Sequence, residues 1–138
     1  MLNLDLNQFL NLMNRTTIIL LLLLSSTPLF NTFAQETVSR ELFLTTLNSV
    51  AHLKFEDEQV AKLMEYNEGF TDKVFEILES DKEEKHKKEQ LDALSYTREI
   101  DLHEFLSKHE TKKYLKYMED ELRPLTKKNK LLKHVSKT

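Results

Sequence analysis

Cysteine and tryptophan are absent from this chain, and its 138 residues include only one glycine and two prolines. The lack of cysteine excludes disulfides, thiol catalysis, thiolate metal sites and redox chemistry at sulfur. A single glycine is too few for most phosphate-binding loops. Sheets with tight turns also need more glycine and proline than this chain has. The composition therefore favours helices joined by short connections.

The first 34 residues have the order of a secretory signal peptide. Arg15 is their only cation, and the apolar run 18–24 follows it. Residues 32–34 (Thr-Phe-Ala) then place small residues at positions −3 and −1 of a cut before Gln35. We therefore predict export and cleavage at this point.

Two alternatives to cleavage are an uncleaved anchor and a buried helix. The strongly apolar run is about 7 residues, whereas a membrane-spanning helix needs about 20. No cysteine lies near the cut, which excludes lipoprotein anchoring. Translation from Met13 rather than Met1 would give a more ordinary signal. Residues 35–138 are enough for one small domain.

Apolar side chains recur at intervals of three and four residues, which predicts four helices. They cover about 39–53, 57–78, 80–105 and 107–122, with Ser39, Ser80 and Ser107 as caps of the first, third and fourth. Pro124 is expected to stop or kink the last one. The second and third helices are joined only at residues 79–81, which include the cap of the third helix, and so short a link implies an antiparallel hairpin. We therefore expect an all-α, four-helix protein built on a long hairpin. Because the short first and fourth helices leave much of that hairpin to be covered, a homodimer is also expected.

Charge is unevenly distributed along the chain. Residues 35–122 carry 13 Lys and Arg against 22 Asp and Glu, a net charge of −9, whereas residues 123–138 carry six cations and no acid. The second segment is predicted to be a basic C-terminal tail. It either frays into solvent or forms an amphipathic segment that docks on the acidic body, an acidic partner or anionic lipid. An acidic exported body makes nucleic acid an unexpected partner.

Two five-residue motifs, 55–59 (Phe-Glu-Asp-Glu-Gln) and 106–110 (Leu-Ser-Lys-His-Glu), share one pattern and each opens a predicted helix. In the second, Ser107 and Glu110 have the spacing of a capping box, in which each side chain bonds to the other residue's backbone N–H. In the first, Gln59 has the same place, and either Glu56 or Asp57 is the cap. Phe55 and Leu106 occupy the position of a hydrophobic staple.

These motifs resemble the LTXXQ signature of the periplasmic Spy and CpxP-like chaperones and stress modulators, and of their ZraP-type relatives. The first motif has Phe55, Glu56 and Gln59 in the places of Leu, Thr and Gln, and the second has Leu106, Ser107 and Glu110. The resemblance covers about 53–122. It implies a dimeric cradle in the periplasm of a Gram-negative bacterium that binds partly unfolded proteins without ATP or restrains a sensor protein.

The cradle is expected to present Met64, Phe70, Val74 and Phe75 to clients, because flexible apolar side chains tolerate many partners. Spy-type chaperones present a largely basic concave face, whereas this body is acidic. Two alternative functions remain open. One is a zinc-responsive binding protein, and the other is a structural helical protein whose basic tail docks on a membrane or a partner.

Catalytic and metal-binding patterns are not apparent. The five histidines (His52, His86, His103, His109 and His134) form no i, i+4 pair. Glu99 and His103 share a helix face, and His86 lies among Glu83, Glu84 and Glu89. Zinc sites usually need three or four convergent ligands, so we expect neither a metal nor another cofactor. A site completed across a dimer is the alternative. The absence of a nucleophile elbow or paired catalytic carboxylates indicates that the protein is not an enzyme.

Polar residues interrupt two of the predicted apolar stripes. Arg98 lies close to the stripe of the third helix, and it is expected either to extend into solvent or to pair with Glu65 or Glu68. Asn67 lies on the stripe of the second helix and Gly69 follows it. The pair marks either a bend or close approach of another helix, or a tolerated polar interruption.

Overall fold

Five α-helices make up most of residues 37–137, the part of the chain that the computed structural model describes. They are α1 (Arg40–Leu47), α2 (Asp57–Glu79), α3 (Glu84–Leu102), α4 (Lys108–Lys128) and α5 (Lys133–Ser136), with 3₁₀ turns at Ala51–Leu53 and Lys130–Leu132. No strand occurs in this part of the chain, which confirms the predicted all-α class. The predicted signal peptide lies outside the described residues.

Helix α1 is shorter than predicted. The Ser39 hydroxyl caps it by accepting from the Leu42 N–H at 3.1 Å, but it ends at Leu47 rather than near Leu53. Asn48 and Ser49 follow, and such residues compete with helical backbone bonds through their own side chains. The chain then makes a 3₁₀ turn. This turn ends at Lys54, whose backbone has the left-handed conformation with a φ of 56°.

The boundary between α2 and α3 also differs from the prediction. Ser80 was expected to open the third helix, but it ends α2, and its hydroxyl donates to the Ile77 carbonyl at 2.7 Å. Since this hydroxyl closes the preceding helix, α3 begins three residues later, with Glu83 at its cap position. At its other end α3 stops at Leu102, and residues 103–105 form a turn before the next cap.

Helix α4 continues through Pro124 instead of ending near Leu122. Proline inside a helix removes one backbone bond and costs about 3 kcal/mol. Leu125 and Thr126, in the turn that follows Pro124, are both buried, so packing of this turn offsets the cost. The Arg123 side chain also pairs with Asp120 on the same helix at 2.5 Å.

The C-terminal basic segment is part of the folded unit rather than a frayed tail. Leu132 and Val135 are almost fully buried, and α5 packs on both α3 and α4. His134 lies 2.7 Å from Asp92 of α3. The lysines of this segment remain exposed, as an amphipathic segment requires. The segment therefore docks on the acidic body of the same chain, which was one of its three predicted partners.

The core is formed by side chains from every helix. Phe43 and Leu47 of α1 pack with Phe75, whose ring meets that of Phe43 edge-on at 5.8 Å. The fully buried residues further along the chain include Leu63, Val74, Leu91, Leu102, Tyr114, Met118 and Leu122. A core shared in this way holds the starts of α2 and α4 and the middle of α3 in fixed relation to one another.

Candidate functional site

The two sequence motifs meet in space. Gln59 Oε1 accepts from the Glu56 N–H at 3.0 Å, so Glu56, rather than Asp57, occupies the cap position of α2. The amide nitrogen of Gln59 then donates to Phe105 O at 3.3 Å and to Glu110 Oε2 at 3.2 Å. The side chain of Gln59 therefore both caps its own helix and binds the start of α4.

At the start of α4 the capping box is complete. The Ser107 N–H donates to Glu110 Oε2 at 2.8 Å, and the Glu110 N–H donates to the Ser107 hydroxyl at 3.2 Å. Hydrogen bonding to the carboxylate, first from the Ser107 N–H and second from the Ser107 hydroxyl, holds the pKa of the Glu110 carboxyl below its ordinary value. Leu106 is buried beside the junction and Phe55 is half-buried. The motifs thus form a structural junction between two helix starts.

A second polar cluster, which the sequence did not reveal, lies inside the core. The Asn67 amide donates to the Leu47 carbonyl at 3.1 Å and to Asn48 Oδ1 at 3.0 Å. The Tyr114 hydroxyl lies 3.0 Å from Asn67 Oδ1 and 3.2 Å from the Leu47 carbonyl, and it accepts from Arg98 at 3.0 Å. Burial raises the pKa of the Tyr114 phenol, and the Arg98 charge partly opposes this.

Arg98 follows neither of its predicted arrangements. It is 2% exposed and therefore does not extend into solvent, and both Glu65 and Glu68 lie on the exposed side of α2. Its guanidinium instead covers the Phe70 ring at 4.4 Å and faces the Tyr114 ring at 5.4 Å. Two aromatic faces and neutral hydrogen-bond acceptors take the place of the expected carboxylate.

Another helix, α1, approaches α2 closely at Asn67 but not at Gly69. The bonds from Asn67 hold the C-terminal end of α1, so this residue is more than a tolerated interruption. Gly69 is exposed, and a Cβ built there would meet no atom within 4 Å. The glycine is therefore not required for helix packing in the described part of the chain.

Three of the four predicted client-binding residues are in the core. Phe70, Val74 and Phe75 are buried, and only Met64 is exposed, at 47%. In this conformation Phe70, Val74 and Phe75 are therefore not available to bind a client. Apolar side chains that recur along one side of a helix also form its core-facing stripe, and that is the place of these three residues in α2.

The large apolar side chains that are exposed lie mainly elsewhere. Tyr96 and Ile100 of α3 are 74% and 55% exposed, and they lie one helical turn apart on the same face, which we call the α3 stripe. Leu42 of α1 is also exposed, at 45%. On another face of α3, an open groove of about 580 Å³ separates it from α2, with Ile77, Ala93 and Leu94 among its lining residues.

The histidines do not converge. His52 packs against the Tyr117 ring in a tilted arrangement with the ring centroids 4.0 Å apart, His103 lies 3.2 Å from the Thr111 hydroxyl, and His134 lies beside Asp92. Within residues 37–137, no group of three or more histidine, aspartate or glutamate side chains could hold a metal ion. A metal site in this part of the protein would need ligands from elsewhere.

Comparison with known proteins adds no assignment. No family model, curated protein or solved structure matches the chain. None of the helices within residues 37–137 is long and apolar enough to cross a membrane.

Proposed function

We propose that this protein is an exported, ATP-independent chaperone-like protein of the LTXXQ type, which binds partly unfolded envelope proteins or a stress sensor in the periplasm. The observation that carries the proposal is the α3 stripe, Tyr96 and Ile100, on an otherwise strongly charged surface. Exposed apolar patches of this kind often mark protein-binding sites. The stripe replaces the buried α2 residues as the client-binding surface.

The meeting of the two motifs supports the family part of the proposal. A helix-start signal that occurs twice has a physical reason here, since Gln59 joins the two starts through Phe105 and Glu110. In the proposed fold, α2 and α3 form an antiparallel hairpin. Bonds from Tyr66 to Asp101, at 3.2 Å, and from Lys87 to Leu78, at 2.7 Å, are consistent with that direction. Two hairpins then pair as a cradle-shaped homodimer.

Surface charge shapes the expected clients. The basic segment that packs on the acidic body reduces the net charge of residues 35–138 from −9 to −3, so attraction to basic clients adds modestly to apolar contact. Apolar contact supplies the affinity, so binding to unfolded chains is expected to persist in moderate salt. Salt affects mainly the choice of client and the association rate.

Aggregation of insulin after reduction with dithiothreitol provides a test. The chain has no cysteine, so the reductant alters only the client. Suppression of light scattering by an equimolar amount of dimer, without ATP or metal, is the expected result. Suppression that requires zinc would instead favour the metal-responsive function, and a lack of suppression with or without zinc would contradict general chaperoning.

The sedimentation behaviour of the same protein tests the proposed dimer. A dimer that persists at micromolar concentration is expected, and a monomer under all conditions would contradict the cradle. Variants for both tests should alter the exposed α3 stripe, because replacement of the buried Phe70 would report on folding rather than on client binding.

A further inference from the structure

The charge around the α3 stripe is more one-sided than that of the chain as a whole. Between residues 89 and 104 the sequence has five acids and one cation. That cation, Arg98, is buried and is therefore not presented to a client. The acids are Glu89, Asp92, Glu99, Asp101 and Glu104. The exposed apolar pair of α3 thus lies within an acidic stretch of the helix.

Three of these acids lie on the same side of α3 as the stripe. Asp92 is four residues before Tyr96 and Glu99 is three residues after it, and both spacings make side chains neighbours on a helix. Glu89 lies on the same side, one turn before Asp92. All three of these residues are exposed. A client that reaches the Tyr96 ring therefore meets carboxylates before and after it.

Cations of the protein neutralise this side of α3 only in part. Within residues 37–137, neither Glu89 nor Glu99 forms an ion pair. Asp92 lies 2.7 Å from His134, and Lys137 lines the same cavity of about 250 Å³ as Glu99. With His134 neutral, the five acids of 89–104 against Arg98 and Lys137 leave a net charge of −3 around the stripe.

An exposed aromatic ring between carboxylates favours a cation. Ammonium and guanidinium groups are attracted to the face of a tyrosine ring and also to carboxylates beside it. Ile100, on the next turn, offers only apolar contact. Apolar area therefore supplies the affinity for an unfolded segment, and the charges around the stripe discriminate among apolar segments.

We propose that the α3 stripe selects client segments in which lysine or arginine flanks large apolar residues. The apolar side chains lie on Tyr96 and Ile100, and the cations pair with Glu89 and Glu99. This selectivity rests on the proposed function, in which the stripe binds clients. The two glutamates are ten residues apart in α3, or about 15 Å along the helix. An extended segment spans that distance with about five residues.

Three short labelled peptides test the selectivity. They share one pattern of leucine and phenylalanine, and the positions between these residues are all lysine, all glutamine or all glutamate. Fluorescence anisotropy gives the affinity of the folded protein for each peptide. The lysine peptide is expected to bind about fivefold more tightly than the glutamine peptide, since exposed ion pairs contribute little each. The glutamate peptide is expected to bind most weakly, and high salt should reduce these differences.

A pair of matched variants separates local charge from net charge. Glu89→Gln combined with Glu99→Gln should bring the affinity for the lysine peptide close to that for the glutamine peptide, whose own affinity should not change. Glu65→Gln combined with Glu68→Gln alters the net charge by the same amount on the exposed side of α2. This control is expected to keep the preference of the wild type for lysine.

Several results would overturn the proposed selectivity. Equal affinity of the wild type for the lysine and glutamine peptides would do so and would leave the proposed function intact. An equal loss of preference in both glutamate variants would assign it to net charge. Undiminished binding of the lysine peptide after Tyr96→Gln with Ile100→Gln would place the basic segment elsewhere on the protein. A failure of all three peptides to bind the wild type would contradict the proposed function itself. The wild-type comparison needs no variant, so it holds even if one fails to fold.

Discussion

The amide nitrogen of Gln59 lies 3.2 Å from Glu110 Oε2, so the third residue of α2 binds the third residue of α4. The two residues are 51 positions apart in the chain and occupy equivalent positions in the two motifs. Each also bonds to the cap residue of its own helix, Gln59 to Glu56 and Glu110 to Ser107. Two local signals are thereby combined into one tertiary contact.

Coupling between these two side chains is measurable. Gln59→Ala and Glu110→Ala should each lower the free energy of unfolding by about 1 kcal/mol, as loss of a helix cap does. The double variant should lose less than the sum, by about 0.5 kcal/mol or more, because the residues share a bond. Urea denaturation of the four proteins gives this coupling. Strict additivity would contradict the joint role of the two motifs.

Acid stability should depend on Glu110. Hydrogen bonds from Ser107 hold the pKa of its carboxyl below the ordinary value of 4.5 when the protein is folded. The folded state therefore binds fewer protons, and the resulting stabilisation is present above that value and is lost as the pH falls through the folded pKa. Glu110→Gln keeps the cap but removes the charge.

The stabilities of wild type and Glu110→Gln should therefore differ most near neutral pH and converge in acid. Denaturation curves collected between pH 7 and pH 3 provide the measurement. A gap between the two proteins that stays constant over this range would show that the Glu110 charge contributes nothing beyond the hydrogen-bond geometry.

Gly69 should be replaceable with a gain in stability. It lies exposed inside α2, and a Cβ there would meet no atom within 4 Å. Gly69→Ala should raise the free energy of unfolding by about 0.5–1 kcal/mol, because glycine loses more backbone freedom in a helix than alanine does. Thermal unfolding monitored by circular dichroism tests this. A destabilised variant would indicate that a partner or residues outside 37–137 approach α2 at this point.

Removal of the basic segment should unfold the protein. A chain that stops at Leu122 lacks Leu125, Leu132 and Val135, each of which contributes about 1.5–3 kcal/mol by burial. Their sum is a large part of the 5–15 kcal/mol that stabilises a typical domain. The truncated protein is expected to lose cooperative thermal unfolding.

Charge removal in the same segment should have little effect. Lys133→Gln combined with Lys137→Gln keeps every buried side chain, and both lysines are exposed, so the fold should remain stable. If the truncated protein unfolded as cooperatively as the full chain, the segment would be a dispensable tail.

Sequence reasoning succeeded where local signals determine the structure. Ser39 and Ser107 were identified as caps because their hydroxyls act within one helical turn, and the long apolar stripe of α2 predicted that helix to within one residue. It failed at the start of α3, where the Ser80 hydroxyl could serve either of two helices. It also failed at the end of α4, which runs past Leu122 and Pro124 to Lys128 because the burial of Leu125 and Thr126 outweighs a local preference.

The buried cluster of Asn67, Arg98 and Tyr114 could not be predicted from any one helix. Each residue lies on or beside an apolar stripe, and for the first two that position was recognised. Three such residues on three helices favour a shared network, but their pairing depends on how the helices pack. Client-binding residues were misplaced for a related reason, since periodicity identifies an apolar face without showing what covers it.

Binding of unfolded protein by the α3 stripe is tested most directly by fluorescence anisotropy with the labelled, reduced insulin B chain. The double variant Tyr96→Gln and Ile100→Gln removes the stripe without changing charge, and Thr45→Gln on α1 is the exposed control. We predict that the wild type and the control bind with equal affinity and that the double variant binds at least about tenfold more weakly. Equal affinity of all three proteins would contradict the α3 stripe as the client-binding surface.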